Sequence, residues 1–292
     1  MSHVAFVGLG AMGLPMATNL LGKGFAVTGY DLSSTSLDAL ERAGGRRAGA
    51  AAEAAASADV LVLMVVNSAQ AEAVLFKDGA VNALRQDGVV VLMATCPPAA
   101  VETIGERVIE AGRRMLDAPV SGGAAGARAA TLTIMAAGSQ DTFDAAKPVF
   151  DALGDKIFHV GERLGQGAIV KTVNQLLCGV HIAVVAEAFA LAAKVGVDLQ
   201  ILLEIMSGSA ASSWMLKDRG HRMLEAEPEV TSAVDIFVKD LGIVLDAGRG
   251  TRAALPLAAA AHQMFLAASG RGDGAADDSQ VIRSYFALNG VG

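Results

Sequence analysis

Lys171, Asn174 and Gln175 stand at i, i+3 and i+4 in a stretch that reads as one long helix, Ala168–Val195. They therefore share a face, which Cys178 and His181 extend. Their neighbours Ile169, Val170, Val173, Leu176 and Leu177 are apolar. A lysine in such surroundings either snorkels its ammonium out to water or is held in a cleft. In the cleft, desolvation lowers its pKa, and the amine then exchanges protons near neutrality, as the oxidation of an alcohol requires. His181 reads first as a satisfied interior histidine. A second group is the string Leu116-Asp-Ala-Pro-Val-Ser-Gly-Gly123. Ser121, Gly122 and Gly123 there suit either an ordinary turn or a nest of backbone N–H groups that holds a carboxylate. Lys239-Asp240, in the apolar run Ile236–Leu241, is by default a surface ion pair.

The elements that must position these residues fall into two kinds. Val4–Val7, Ala26–Tyr30, Val60–Val66, Val89–Met93, Arg114–Leu116 and Leu132–Ala136 read as strands. Helical stretches such as Met12–Gly22, Ser36–Ala43 and Pro98–Ala111 lie between them. This alternation, with strands apolar on both faces, predicts a parallel α/β sheet covered on two sides. From Gly165 onward hardly a β-like run remains, and the helical segments Leu199–Ser207, Ser213–Leu224, Ala233–Gly248, Leu255–Ala268 and Asp278–Leu288 follow, with Asp198 and Asp278 as N-caps. The expected organisation is an α/β domain over 1–163 and an all-helical domain over 164–292, joined by a long helix.

The first strand leads directly into Gly8-Leu9-Gly10-Ala11-Met12-Gly13, and an acid, Asp31, ends the second strand 18 residues after Gly13. Gly8 permits the sharp turn, Gly10 lets a pyrophosphate approach the backbone, and Gly13 lets the helix lie close on the strand. The helix N-terminus then offers free N–H groups and a positive dipole end to the phosphates. A carboxylate at Asp31 would bind both adenosine ribose hydroxyls and repel a 2′-phosphate, and Leu32-Ser33-Ser34 supplies no arginine, so NAD is expected over NADP. The other reading of Asp31 is a helix cap or an exposed turn acid.

Composition excludes other classes. Hydrophobic residues make up 53% of the 292 and charged ones 18%, which is incompatible with disorder. A net charge of −7 argues against a nucleic-acid or anionic-membrane surface. The longest apolar stretch, Val180–Ala193, contains His181 and Glu187 and is shorter than the ~20 residues a bilayer needs, so no membrane span is expected. Two cysteines, Cys96 and Cys178, form neither a metal spacing nor a disulfide framework. With no basic leader before Val4, the expectation is a reduced, cytoplasmic protein without a metal.

Together Gly8–Leu20, Asp117–Gly123, Gly167–Gln175 and Lys239-Asp-Leu241 resemble the β-hydroxyacid dehydrogenase family over nearly the whole chain. The resemblance implies a Rossmann-like domain followed by a helical domain, with the active site in the cleft between them. It implies Lys171 as catalytic lysine, Ser121-Gly122-Gly123 as substrate-carboxylate loop, and Asn174 and Gln175 as the pair that orients the substrate. Val66, Thr95 and Lys239 match cofactor positions. The chain departs from the family pattern at Gln175 (frequently Asn), Ala94-Thr95 (Ser-Thr), Val66-Asn67 (Leu-Pro) and Ala130 (Gly). Within the family, strings such as Val65–Gln70, Gly179–Ile182, Ser213–Met215 and Asp277–Ile282 are similar to members that oxidise a four-carbon sugar acid at C2 with NAD. That similarity places His181 and Trp214 near the polyol chain. The alternatives are 3-hydroxyisobutyrate or tartronate semialdehyde as substrate, or a dinucleotide-sensing module without catalysis. The Ala-rich helices lead us to expect a homodimer or homotetramer.

Overall fold

The computed structural model describes residues 2–291, which divide into two compact units after Lys171. The strands run in chain order β1 (His3–Val7), β2 (Ala26–Tyr30), β3 (Arg46–Arg47), β4 (Val60–Leu63), β5 (Val89–Leu92), β6 (Arg114–Asp117), β7 (Val120–Ser121), β8 (Leu132–Ala137) and β9 (Gly154–Gly161). Alternate residues of the central strands enter opposite cores. Val4, Phe6, Val60, Val62, Val89 and Val91 pack on one face. Ala5, Val7, Leu61, Leu63, Val90 and Leu92 pack on the other. Cover on both faces is what makes these runs continuously apolar.

The sheet order is β3-β2-β1-β4-β5-β6-β8-β7, with β9 on β8. From β3 to β6 all pairs are parallel, and the order reverses direction between β1 and β4. In open α/β sheets such a switch point, at the carboxyl ends of the strands, is where ligands bind. β8 then runs antiparallel to β6 and β7. The sheet is thus mostly parallel, with a reversal absent from the sequence pattern. β9 also escapes that pattern, because Asp155 and Lys156 are exposed and interrupt any apolar run. The Val60 strand stops at Leu63, where the next residues pass close to the first glycine turn.

The second unit is helical. Ile182, Ala186 and Phe189 of the helix Gln166–Lys194 enter a core with Leu203, Phe237, Leu241 and Phe265. Phe237 and Phe265 stack with ring centroids 5.2 Å apart. Among the described residues this helix is the one long and apolar enough to cross a bilayer, a length that the apolar stretch Val180–Ala193 alone does not convey. Its inner face is nevertheless spent on the core just described. Asp198 caps Leu199–Gly208, accepting from the Ile201 N–H at 2.9 Å. The other expected cap is corrected by one residue. Asp277 caps the last turn-and-helix segment, while Asp278 is fully buried and held by the Arg219 guanidinium at 2.8 Å through both oxygens.

Candidate active site

The glycine turn lies at the switch point. Gly8 has φ +93°, and a Cβ there would run into the Met64 carbonyl. A Cβ on Gly13 would strike the Gly8 carbonyl oxygen and lie 3.0 Å from the Phe6 ring. Packing therefore requires both. Gly10 differs, because among the described residues no atom beyond its two chain neighbours lies within 4 Å of the point its Cβ would occupy. What glycine provides there is close approach from outside the protein, the need of a bound pyrophosphate. The helix Gly13–Gly22 has no side-chain cap and no acid in its first turn, so its positive end is left to a ligand. Ala11 is exposed at this turn, Met12 packs partly into the core, and Leu9 is buried.

Asp31 stands beside this turn. Its Oδ2 accepts from the Leu9 N–H at 2.6 Å and its Oδ1 from the Ser33 N–H at 2.7 Å. It does not cap the next helix, because Ser33 does, accepting from Ser36 N–H. The two backbone donors fix the carboxylate at the end of β2 and leave each oxygen a further lone pair. Beyond β4, Val66 is 49% exposed. Its N–H donates to Gln70 Oε1 at 2.9 Å, while Gln70 N–H donates to Asn67 Oδ1 at 2.9 Å. This reciprocal cap is the local use of Asn67, which caps the helix Ser68–Glu72. Thr95 lies half-buried just past β5. These residues come from the carboxyl ends of β1, β2, β4 and β5, which the topology brings to one edge of the sheet.

Ser121 ends the two-residue strand β7 and pairs with Thr133 of β8. Gly122 and Gly123 follow with φ +129° and +60° and open the helix Gly123–Ala129. Two successive positive φ values are a conformation that glycine adopts without a Cβ penalty. Gly123 has open space at its Cβ position.

One residue given no role from sequence precedes this loop by a few positions. Asp117, at the end of β6, is buried, and its Oδ2 accepts from the N–H groups of Gly165 at 3.1 Å and Ala168 at 2.8 Å. Burial pushes its carboxyl up to about 7, opposed by the bonds from Ala168, Gly165 and Gly167. The recognisable signal was Gly165-Gln-Gly167. Gly165 has φ +91°, and a Cβ on Gly167 would lie 2.7 Å from the Asp117 carbonyl oxygen. Lys171, a few residues along the same helix, is 8% exposed, so the snorkelling alternative is ruled out.

In the second unit Gln175 is buried and engaged at both ends of its amide. Its Nε2 donates to Asp240 Oδ2 at 2.5 Å, and its Oε1 accepts from Asn174 Nδ2 at 2.8 Å. Lys239 Nζ approaches Asp240 Oδ1 at 2.7 Å. Asn174, Gln175, Asp240 and Lys239 thus form one chain, and Asp240 is 2% exposed rather than half of a surface pair. Gly179 permits this packing, since a Cβ there would meet Leu241 at 2.8 Å. His181 is half-buried on the same helix, and Trp214 is 54% exposed. Among the described residues no cluster of metal-ligating side chains occurs, and neither cysteine is in a disulfide.

Comparison with known proteins agrees with this geometry. Residues 3–161 match the family described as the NAD binding domain of 6-phosphogluconate dehydrogenase. Residues 165–285 match that described as the NAD-binding of NADP-dependent 3-hydroxyisobutyrate dehydrogenase. The chain is 45% identical over 284 residues to an L-threonate dehydrogenase of Cupriavidus necator, covering 97% of this chain and 96% of the relative. It is 42% identical to an L-threonate dehydrogenase of Haemophilus influenzae, covering 98% and 96%. A crystal structure of 3-hydroxyisobutyrate dehydrogenase from Salmonella typhimurium, 40% identical, matches with a TM-score of 0.93 over 97% of this chain and 99% of that one. Similarity of this extent, running through both units, means that the chain belongs to the β-hydroxyacid dehydrogenase family.

Proposed function

We propose that the chain is an NAD-dependent dehydrogenase that oxidises L-threonate at its C2 hydroxyl. The chemistry rests on one observation, a lysine buried to 8% exposure on a helix whose first turn is fixed. Its amine accepts the hydroxyl proton in oxidation and returns it in reduction. When bound, the nicotinamide dinucleotide supplies the hydride acceptor. Gly8, Leu9, Gly10, Ala11, Met12 and Gly13 cradle its pyrophosphate, Asp31 takes the adenosine ribose, and Val66, Thr95 and Lys239 complete its site. Asp31 also favours NAD, since a 2′-phosphate would face a fixed carboxylate with no arginine near it in sequence. Ser121, Gly122 and Gly123 hold the substrate carboxylate, and Asn174 orients the substrate. Gln175 contributes through the amide that bonds Asn174 and Asp240, and His181, on the same helix, is assigned to the hydroxyl-bearing end of the substrate.

In this reading residues 1–163 serve the cofactor and 164–292 serve substrate binding and self-association. Exposed Ile169, Val173, Leu177, Val184 and Leu191 form an apolar stripe along the long helix, which supports a homodimer or homotetramer. The name of the Salmonella structure favours a second reading, with 3-hydroxyisobutyrate as substrate. Lys171→Ala tests the chemistry. Turnover should fall by ~10²–10⁴-fold while NAD affinity changes little. Turnover within about threefold of wild type would remove Lys171 from the reaction. Should the unaltered protein bind NADH yet oxidise no C3–C5 hydroxy acid, a sensing module would replace the enzyme reading.

A further inference from the structure

The first turn of a helix leaves its N–H groups without intrahelical partners, and Gln166–Lys194 has no acid of its own there. Those amides are instead gripped from another element. Asp117 Oδ2, at the end of β6, accepts from Gly165 and Ala168, and the Gly167 N–H also bonds to this carboxyl. The grip is close because Gly167 has no side chain, and a Cβ there would meet the Met135 carbonyl oxygen at 2.5 Å and Asp117 Oδ2 at 3.0 Å. Asp117 Oδ1 is buried without a hydrogen-bond partner among the described residues. Satisfying only one oxygen is a poor arrangement for general stability, since a buried polar atom without a partner is costly. The arrangement does, however, put all of the carboxyl's bonds onto one turn of one helix.

Ala168 and Lys171 are three residues apart, and so lie on the same helix face one turn from each other. A clamp on the Ala168 amide therefore sets the height and rotation of the turn that carries Lys171. We propose that Asp117 is the positioning residue for Lys171, fixing through the first turn of the long helix where the lysine amine stands. This rests on Lys171 being the acid–base group. A misplacement of about 1 Å costs on the order of 10²-fold in rate, so releasing the clamp should affect turnover far more than binding.

A double-mutant cycle tests the proposal, with kcat for L-threonate and NAD, NADH affinity by fluorescence, and amide exchange of segment 165–171 as readouts. Asp117→Ala should lower kcat by about 10²-fold, leave NADH affinity within about threefold, and speed exchange in that segment. Asp117→Asn keeps an acceptor oxygen and should recover kcat to within about fivefold of wild type. In a Lys171→Ala background, Asp117→Ala should cost less than about threefold more, because a residue acting through Lys171 has nothing left to position. An equal loss in both backgrounds, or kcat for Asp117→Ala within about threefold of wild type, overturns the proposal and leaves Lys171 standing. Near-normal turnover of Lys171→Ala alone would instead remove the acid–base reading, and this proposal with it. If Asp117→Ala does not fold, Asp117→Glu decides. It keeps the carboxylate but displaces the turn by one methylene, and is expected to lower kcat at least ~10-fold, whereas kcat within about threefold overturns the proposal.

Discussion

Asp117 makes the stability of the chain depend on pH in an uncommon direction. Burial pushes its carboxyl from 3.8 up to about 7, and the three amide bonds it accepts oppose that rise without cancelling it. Between those two values the folded chain keeps the proton and the unfolded chain releases it. Stability from this group is therefore complete below about pH 4, falls as pH rises, and is gone above about 7. At 1.36 kcal/mol per unit the full span is worth about 4 kcal/mol as an upper bound, and the part between pH 5 and 8 about 2–3 kcal/mol. The assay is urea unfolding of the unaltered protein and of Asp117→Asn at several pH values across that range. Asparagine does not titrate, so the difference between the two isolates this one group. Other carboxyls cancel in it, including Asp277, which burial would raise but which Ser279, Thr231 and Arg222 hold low. The unaltered protein should lose stability relative to Asp117→Asn as pH rises from 5 to 8. Parallel curves would refute a raised carboxyl.

The two kinds of glycine in the first turn should separate in experiment. Gly10→Ala meets no protein atom and should leave thermal stability unchanged while raising the NADH dissociation constant at least ~10-fold, whereas Gly13→Ala should destabilise the fold by about 1–3 kcal/mol or more. Equal thermal shifts in the two variants would contradict this. Asp31 should favour NAD over NADP by at least ~10-fold in kcat/KM, and Asp31→Arg or Asp31→Ser should narrow or invert that preference. Equal efficiency with both cofactors in the unaltered protein would defeat it. Asp278→Asn leaves the buried Arg219 with Asp218 as its remaining ion-pair partner, and should cost about 3 kcal/mol in urea unfolding, at the low end for a broken buried pair. A loss under about 1 kcal/mol would mean the pair is dispensable.

What could be read from sequence follows from the range of the interactions involved. Central strands such as Val60–Leu63 and Val89–Leu92 were legible because burial on both faces writes itself as a local run of valine and leucine. The face shared by Lys171, Asn174 and Gln175 was legible because it needs only helical spacing. The partner of Gln175 was not, since Asp240 is 65 residues away and only packing brings it to 2.5 Å. The same holds for Asp117, whose bonds span 48 and 51 residues to Gly165 and Ala168. The reversal at β8 left no trace because an antiparallel neighbour buried on both sides has the same composition as a parallel one. The cap slipped from Asp278 to Asp277 because adjacent acids are equivalent in sequence until one of them is buried against Arg219.

The central claim is best tested by initial rates of the unaltered protein with NAD on L-threonate and on 3-hydroxyisobutyrate, followed as reduced nicotinamide absorbance. A site built to hydrogen-bond the hydroxyls of a sugar acid leaves its own polar groups unpaired against an analogue that lacks them, a difference worth as much as ~10⁴-fold. L-threonate should therefore be the better substrate by orders of magnitude in kcat/KM. Equal efficiency on the two acids, or a preference for 3-hydroxyisobutyrate, would contradict the assignment of L-threonate.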